Sequence, residues 1–296
     1  MEKTKPHLSD GSLHVLRIPG WMARCSKETL EEAGFLSGAA LSHLDFAARS
    51  DAVPHALWRA RLALAAAEVC VGFMGRRERA ADLRDALHLL RPGDHPGPAG
   101  EVFQQWSIAV ARPISVAGLH KALPGVTVEQ IALCLEATDG NPVDRAAAVL
   151  EAVLAGAPRA ETAALILADA VLSKSLGWSH LLPVLALALR PRDLRKSDDD
   201  LRLACHRAVA VAAGQALPLA ADLLRGAARL QAVTPKLRAK GADRAVALFL
   251  SRDALAPATL LSLMSDRAAR RLCDRLVDLG AARELTGRDT FRLYGV

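Results

Sequence analysis

The densest group of titratable side chains lies in residues 83–100 (LRDALHLLRPGDHPGPAG), where Arg84, Asp85, His88, Arg91, Asp94 and His95 flank a Pro-Gly turn. Asp85 and His88 are three apart, and Arg84 and His88 four apart, so each pair shares a helix face. A carboxylate beside an imidazole is the arrangement of an oriented general base. Arg84, Asp85, His88 and Asp94 therefore form the candidate pocket of an enzymatic reading. No nucleophile, metal set or phosphate-cradling glycine loop accompanies them, and the same residues would serve equally to tie the loop down through ion pairs. No catalytic residue is assigned, and the enzyme reading ranks third.

A second group has a clearer geometry. Residues 265–279 (SDRAARRLCDRLVDL) place Ala269, Leu272, Leu276 and Leu279 at helical spacing, with Ser265 as the N-cap and Gly280 where a left-handed C-cap belongs. Arg267, Arg270 and Arg271 fall away from that apolar stripe, at the end of a recognition helix that meets base edges. Asp274 and Asp278 also point outward, and helical spacing would let them pair with Arg270 and Arg275. Residues 281–286 and 290–296 alternate as strands around Gly287-Arg288-Asp289, which puts Arg288 at the tip of a hairpin and Arg292 on its open face. A short helix at 258–263 precedes the set. Helix, turn, helix and β-hairpin in that order predict a winged helix-turn-helix, with Arg267, Arg270, Arg271, Arg288 and Arg292 as the DNA-binding residues.

The elements that must position these groups are helices. Of 296 residues 58 are alanine, 4% are aromatic and 51% are hydrophobic, a composition that favours packed helices and excludes a disordered chain. Helices are expected at 27–49, 54–74, 77–90, 101–110, 115–122, 128–137, 142–155, 159–175, 180–190, 198–214, 218–231 and 242–251, with 54–74 apolar on most faces and central among amphipathic neighbours. Thr127 with Gln130 has capping-box spacing, Asn141-Pro142 is an N-cap with proline at the first helical position, and Ser197 is expected to cap the helix opened by three aspartates. No repeat period stands out, so the fold class is all-α: an irregular multi-helix bundle over residues 1–233 and a small winged helix-turn-helix domain with one β-hairpin over 234–296.

Charge follows the same division. Residues 234–296 carry twelve Lys or Arg against seven Asp or Glu, most of the whole-chain net charge of +6. A basic C-terminal module suits phosphate partners. The start, MEKTKPHLSDGS, is polar with no apolar stretch behind it, so a cytoplasmic protein is expected. The most apolar runs, 62–74 and 181–189, are shorter than the roughly 20 residues that span a bilayer, so no membrane partner is expected. Cys25, Cys70, Cys134, Cys205 and Cys273 form no CxxC pair and are read as free thiols in helical settings; the dispersed histidines offer no metal site, and no cofactor is implied. Trp178, His180 and His206 are read as packing or surface residues.

Three stretches carry a resemblance: residues 83–100, residues 234–251 (TPKLRAKGADRAVALFLS) and residues 265–296 (SDRAARRLCDRLVDLGAARELTGRDTFRLYGV). Together they resemble a bacterial family catalogued as a domain of unknown function, family 1403. The resemblance implies an alphaproteobacterial source and frequent carriage on plasmids, and no activity. The last stretch is also similar to the winged-helix segment that follows the catalytic domain of some Fic-type proteins; the Fic motif HPFxxGNGR is absent, so that activity is not implied. The resulting expectation is a DNA-binding regulator of transcription or of an accessory replicon, a homo-oligomer suited to palindromic sites. The alternative is a protein-interaction scaffold that uses the winged helix for docking.

Overall fold

A computed structural model describes residues 16–24, 28–91 and 93–296; Cys25 lies outside them. Thirteen α-helices and one two-stranded antiparallel hairpin make up the regular structure of the described residues. The helices are α1 (Gly20–Arg24), α2 (Leu30–Arg49), α3 (His55–Phe73), α4 (Ala80–His88), α5 (Gly97–Ala111), α6 (Val116–Ala122), α7 (Val128–Leu135), α8 (Pro142–Gly156), α9 (Glu161–Ser175), α10 (Leu185–Ala188), α11 (Asp198–Val233), α12 (Ala242–Phe249) and α13 (Asp266–Asp278). Strands β1 (Arg283–Glu284) and β2 (Tyr294–Gly295) close the chain. The all-α bundle with a single terminal hairpin is the architecture that the composition implies.

Two helices, α3 and α9, are buried on most of their faces. α3 buries Leu57, Trp58, Leu62, Ala63, Leu64, Ala66, Ala67, Cys70 and Val71, which occupy most of its circumference. α9 is not amphipathic, as its neighbours are, because every residue from Ala164 to Ser173 is buried, including Asp169. α11 packs along α2, α8 and α10, and α3 lies against α5.

Local signals were obeyed where a side chain could reach a helix end. Thr127 and Gln130 make the reciprocal capping box, and Asn141 Oδ1 accepts from Val143 N and Asp144 N at 2.9 and 3.1 Å. Ser197 departs from expectation: its hydroxyl makes no cap bond, and Asp198, at φ 50°, turns its N–H to Glu151 instead.

Two expected helix boundaries are overridden by packing. The anticipated pair 198–214 and 218–231 is one 36-residue helix, with Pro218 inside it. Proline removes one ladder bond and costs several kcal/mol in isolation. Burial on both sides of it, from Ala212, Ala213, Ala216 and Leu217 through Ala220, Ala221 and Leu224, holds the helix straight through, and Trp58 Nε1 braces it by donating to Ala216 O at 3.0 Å. α11 is also long and apolar enough to cross a membrane by length and composition alone, but 56% of its most apolar window is buried within the protein. The helix expected at 180–190 shrinks to Leu185–Ala188: residues 181–184 are irregular, and Leu182 N donates to Ser173 Oγ at 3.1 Å instead of to a helix carbonyl.

Asp169 holds the N-terminus of α10. Its carboxyl accepts from Leu185 N at 2.7 Å and Ala186 N at 3.3 Å, yet burial dominates and pushes its pKa up to about 7. A folded-state value above that of the unfolded chain, about 3.9, favours folding below pH 4 and loses that contribution as pH rises from about 4 to 7. Asp169→Asn should remove this component. Thermal melts from pH 4.5 to 8 are expected to show the native protein losing ground to the variant as pH rises, with the difference level above pH 7.

The C-terminal segment, from Leu230 on, has its own apolar centre. Leu230 at the end of α11 meets Ala245, Val246, Phe249, Leu255, Leu260, Ala269, Leu272, Cys273, Leu276 and Tyr294. Glu284 pairs with Tyr294, and Tyr294 also bridges to Leu255. The helix expected at 258–263 is a shorter 3-10 turn, Pro257–Leu260, and the strands are shorter than 281–286 and 290–296. Gly295 is required where the hairpin passes the bundle: a Cβ there would lie 2.8 Å from Asp253 O and 2.9 Å from Arg61 Nη2.

Candidate nucleic-acid interface

α13 is set by its caps. Ser265 Oγ accepts from Ala268 N at 3.4 Å, and Gly280 turns the chain at φ 64°. Ala269, Leu272, Cys273 and Leu276 face the core, so Arg267, Arg271, Asp274 and Asp278 occupy the opposite, exposed side. Arg267 and Arg271 have no ion-pair partner among the described residues, as a partner-seeking face requires. Arg270 is different. Its Nε donates to Asp266 Oδ2 at 2.9 Å, one turn back rather than to Asp274.

Beside α13 the segment 235–239 runs as the opposite wall of a groove of about 1100 Å³. Lys236, Arg238, Arg271 and Arg275 line it, with Asp274 and Asp278 at the α13 side. Among the described residues none of the four cations is paired with a carboxylate, and Arg275 does not bond Asp278 as helical spacing suggested. Asp274 is partly engaged elsewhere, accepting from Tyr294 OH at 3.1 Å. Lys236 and Arg238 were missed in the sequence because they lie outside the helix and hairpin; the basic run PKLRAK was the available signal.

The hairpin arginines are committed inside the protein. Arg288 is not free at the tip: its Nη1 and Nη2 donate to both oxygens of Asp85 at 2.8 and 2.7 Å, and that carboxylate holds its pKa above the ordinary value. Arg292 Nε donates to Arg288 O at 2.8 Å, and its guanidinium lies 3.6 Å from Asp289 and 3.9 Å from Asp274. Five arginines expected on one surface thus divide into an open pair, Arg267 and Arg271, and three with internal partners.

Two residues of the enzymatic reading, Arg84 and Asp85, tie the C-terminal segment to the bundle. Arg84 forms a two-bonded pair with Asp253 (2.6 and 3.0 Å), and Arg61 Nε lies 2.9 Å from the same carboxylate without hydrogen-bond alignment. Asp85 faces Arg288 rather than His88. Asp94 accepts from Arg91 N at 3.0 Å and only closes the Pro-Gly turn. His88 alone lines a cleft, about 630 Å³, against Thr290, Phe291 and Tyr294; burial pulls its pKa down. Asp85, its expected orienting carboxylate, bonds Arg288, and Asp253 is the carboxylate that acts most on His88.

A relay that spacing could not disclose joins α2, α8 and α11. Ser37 Oγ lies 2.6 Å from His206 Nδ1, and His206 Nε2 lies 3.3 Å from Asp144 Oδ1. Asp144 only accepts, so an Nε2–H donates to it, while the single Ser37 hydroxyl proton has two acceptors in reach, Nδ1 and Gly34 O at 3.0 Å. Serine, histidine and aspartate in this order are the members of a nucleophilic triad. Here they act as a brace: Ser37 sits in mid-helix at 1% exposure, where neighbouring amides are used by the helix and none is offered to an oxyanion, and Asp144 is also bonded by Arg202 and Asn141. Ser37→Ala should leave His206 Nδ1 buried without its hydrogen-bond partner and cost about 1–3 kcal/mol, read by denaturant unfolding.

Among the described residues no cluster of three metal-ligating side chains occurs, and Cys70, Cys134, Cys205 and Cys273 are unpaired. No curated protein and no solved structure matches the chain. A family model described as "Protein of unknown function (DUF1403)" matches residues 6–296, and the chain belongs to that family.

Proposed function

We propose that the protein binds double-stranded DNA through α13 and the groove beside it. The observation that carries this reading is the set of four unpaired cations, Lys236, Arg238, Arg271 and Arg275, along one groove next to the open arginines of a helix end. Exposed cations left without protein partners are what phosphate recognition requires. The order α12, the bridge at Leu255, the 3-10 turn, α13 and the hairpin, with Leu255 and Glu284 both paired to Tyr294, supports reading residues 234–296 as a winged helix. In this reading Arg267 and Arg271 approach base edges, while Lys236, Arg238 and Arg275 contact phosphate. The bundle supplies a dimer interface, and the protein acts in the cytoplasm as a regulator.

Anisotropy of a labelled duplex at low salt tests the assignment. Full-length protein should bind, and alanine at Lys236, Arg238 and Arg275 should weaken all sequences alike. A docking module is the second reading, favoured by Phe291, which is 73% exposed at φ 54° beside the His88 cleft. Binding of a protein partner that disappears in Phe291→Ala, with no duplex bound at low salt, would decide for docking.

A further inference from the structure

Away from α13, a cavity of about 180 Å³ lies between the end of α2, the first turn of α3 and residues 177–182. Arg49, His55, Arg59, Ser179 and His180 line it, with the rings of Trp58 and Trp178, and no carboxylate is among the lining residues. Arg59 is half-buried and uses only Nε inside the protein, donating to Val110 O at 3.0 Å; neither Nη has a partner among the described residues. His180 Nδ1 pairs with Ser179 Oγ at 2.9 Å, and His55 bonds the backbone at Ser50, which leaves one ring nitrogen of each without a partner among the described residues. The first turn of α3 contains no acidic residue and no side-chain cap.

We propose that this cavity is a binding site for a phosphate-sized oxyanion, held by Arg59, His55 and His180. A half-buried guanidinium without a countercharge is costly, and a bound anion supplies what the protein omits. The donors come from two separate chain segments, which suits a tetrahedral ion. The volume is below the roughly 300 Å³ at which sites for larger organic ligands begin, so a free ion or the phosphoryl end of a monoester fits, the latter with its organic part at the mouth.

Electrostatics agree with an anion site. Burial and the neighbouring Arg59 depress both histidines, and His55 further depresses His180. Of the other charged groups, Arg49 lines the cavity and Asp51 acts on His55. Asp45 is taken up by Arg49 and by Trp178 Nε1, which donates to it at 2.8 Å, and Asp51 acts only weakly on His55. Anion binding should therefore draw protons onto both histidines.

Calorimetric titration of the full chain with inorganic phosphate and with sulfate tests the site, and no DNA is involved, so its outcome is separate from that of the DNA reading. The expected result is saturable binding of one ion per chain. Affinity should fall at least tenfold in Arg59→Gln and severalfold in His180→Gln. Sulfate keeps its charge over the histidine range, so tighter sulfate binding as pH falls from 7.5 to 5.5, with shifted His55 and His180 ring resonances, reports protonation of the protein. If Arg59→Gln fails to fold, the double variant His55→Gln/His180→Gln carries the same expectation. A phosphomonoester that binds tighter than phosphate identifies a larger ligand as the source; equal or weaker binding identifies the free ion. Absence of saturation by both ions, or affinity unchanged in the variants, overturns the proposal.

Discussion

Asp253→Ala is expected to lower the unfolding free energy by about 3–5 kcal/mol, which for a chain of this size lowers Tm by roughly 10 °C. The carboxylate is 5% exposed and sits between Arg61 and Arg84, whose side chains are 16% and 12% exposed. Removing it leaves two buried guanidiniums facing each other with no countercharge. Burial already pulls Arg61 below its ordinary pKa, and Asp253 is the first opposing influence. The same residue joins the bundle to the C-terminal segment, so calorimetry should show the destabilisation together with earlier exposure of that segment to protease. Asp85→Ala provides the contrast. Its pair with Arg288 is about one-third exposed on both sides, where solvent screening leaves about 1 kcal/mol or less.

The double variant Arg267→Ala/Arg271→Ala should weaken a specific duplex by about 1–3 kcal/mol for each base-reading arginine removed, without appreciable change in Tm, since neither side chain is buried or paired. Arg288→Ala should leave DNA affinity and its salt dependence unchanged, because Arg288 is spent on Asp85. Competition titrations against random duplex separate the two effects. Unchanged affinity in the double variant would remove α13 as the reading helix.

What could be read from the sequence was local. The capping signals at Thr127, Asn141 and Ser265, the apolar stripe of α13 and the left-handed Gly280 each depend on residues within one or two turns, and each formed. Pro218 misled for the opposite reason: a local breaker was overruled by the burial of a whole helix face. The ion pairs that decide the fate of Arg84, Asp85 and Arg288 join residues 169 and 203 positions apart, as does the Ser37–His206 hydrogen bond at 169, and no periodicity encodes such partners. Sequence could therefore name charged residues for a surface, but only the fold could divide them into paired and open ones.

The most direct test of DNA binding is the salt dependence of affinity for a duplex, measured with the native full-length chain. Three groove cations, Lys236, Arg238 and Arg275, that each neutralise a phosphate predict that log K falls against log salt with a slope of roughly −3. A slope near zero, or no duplex bound even at low salt, would contradict it.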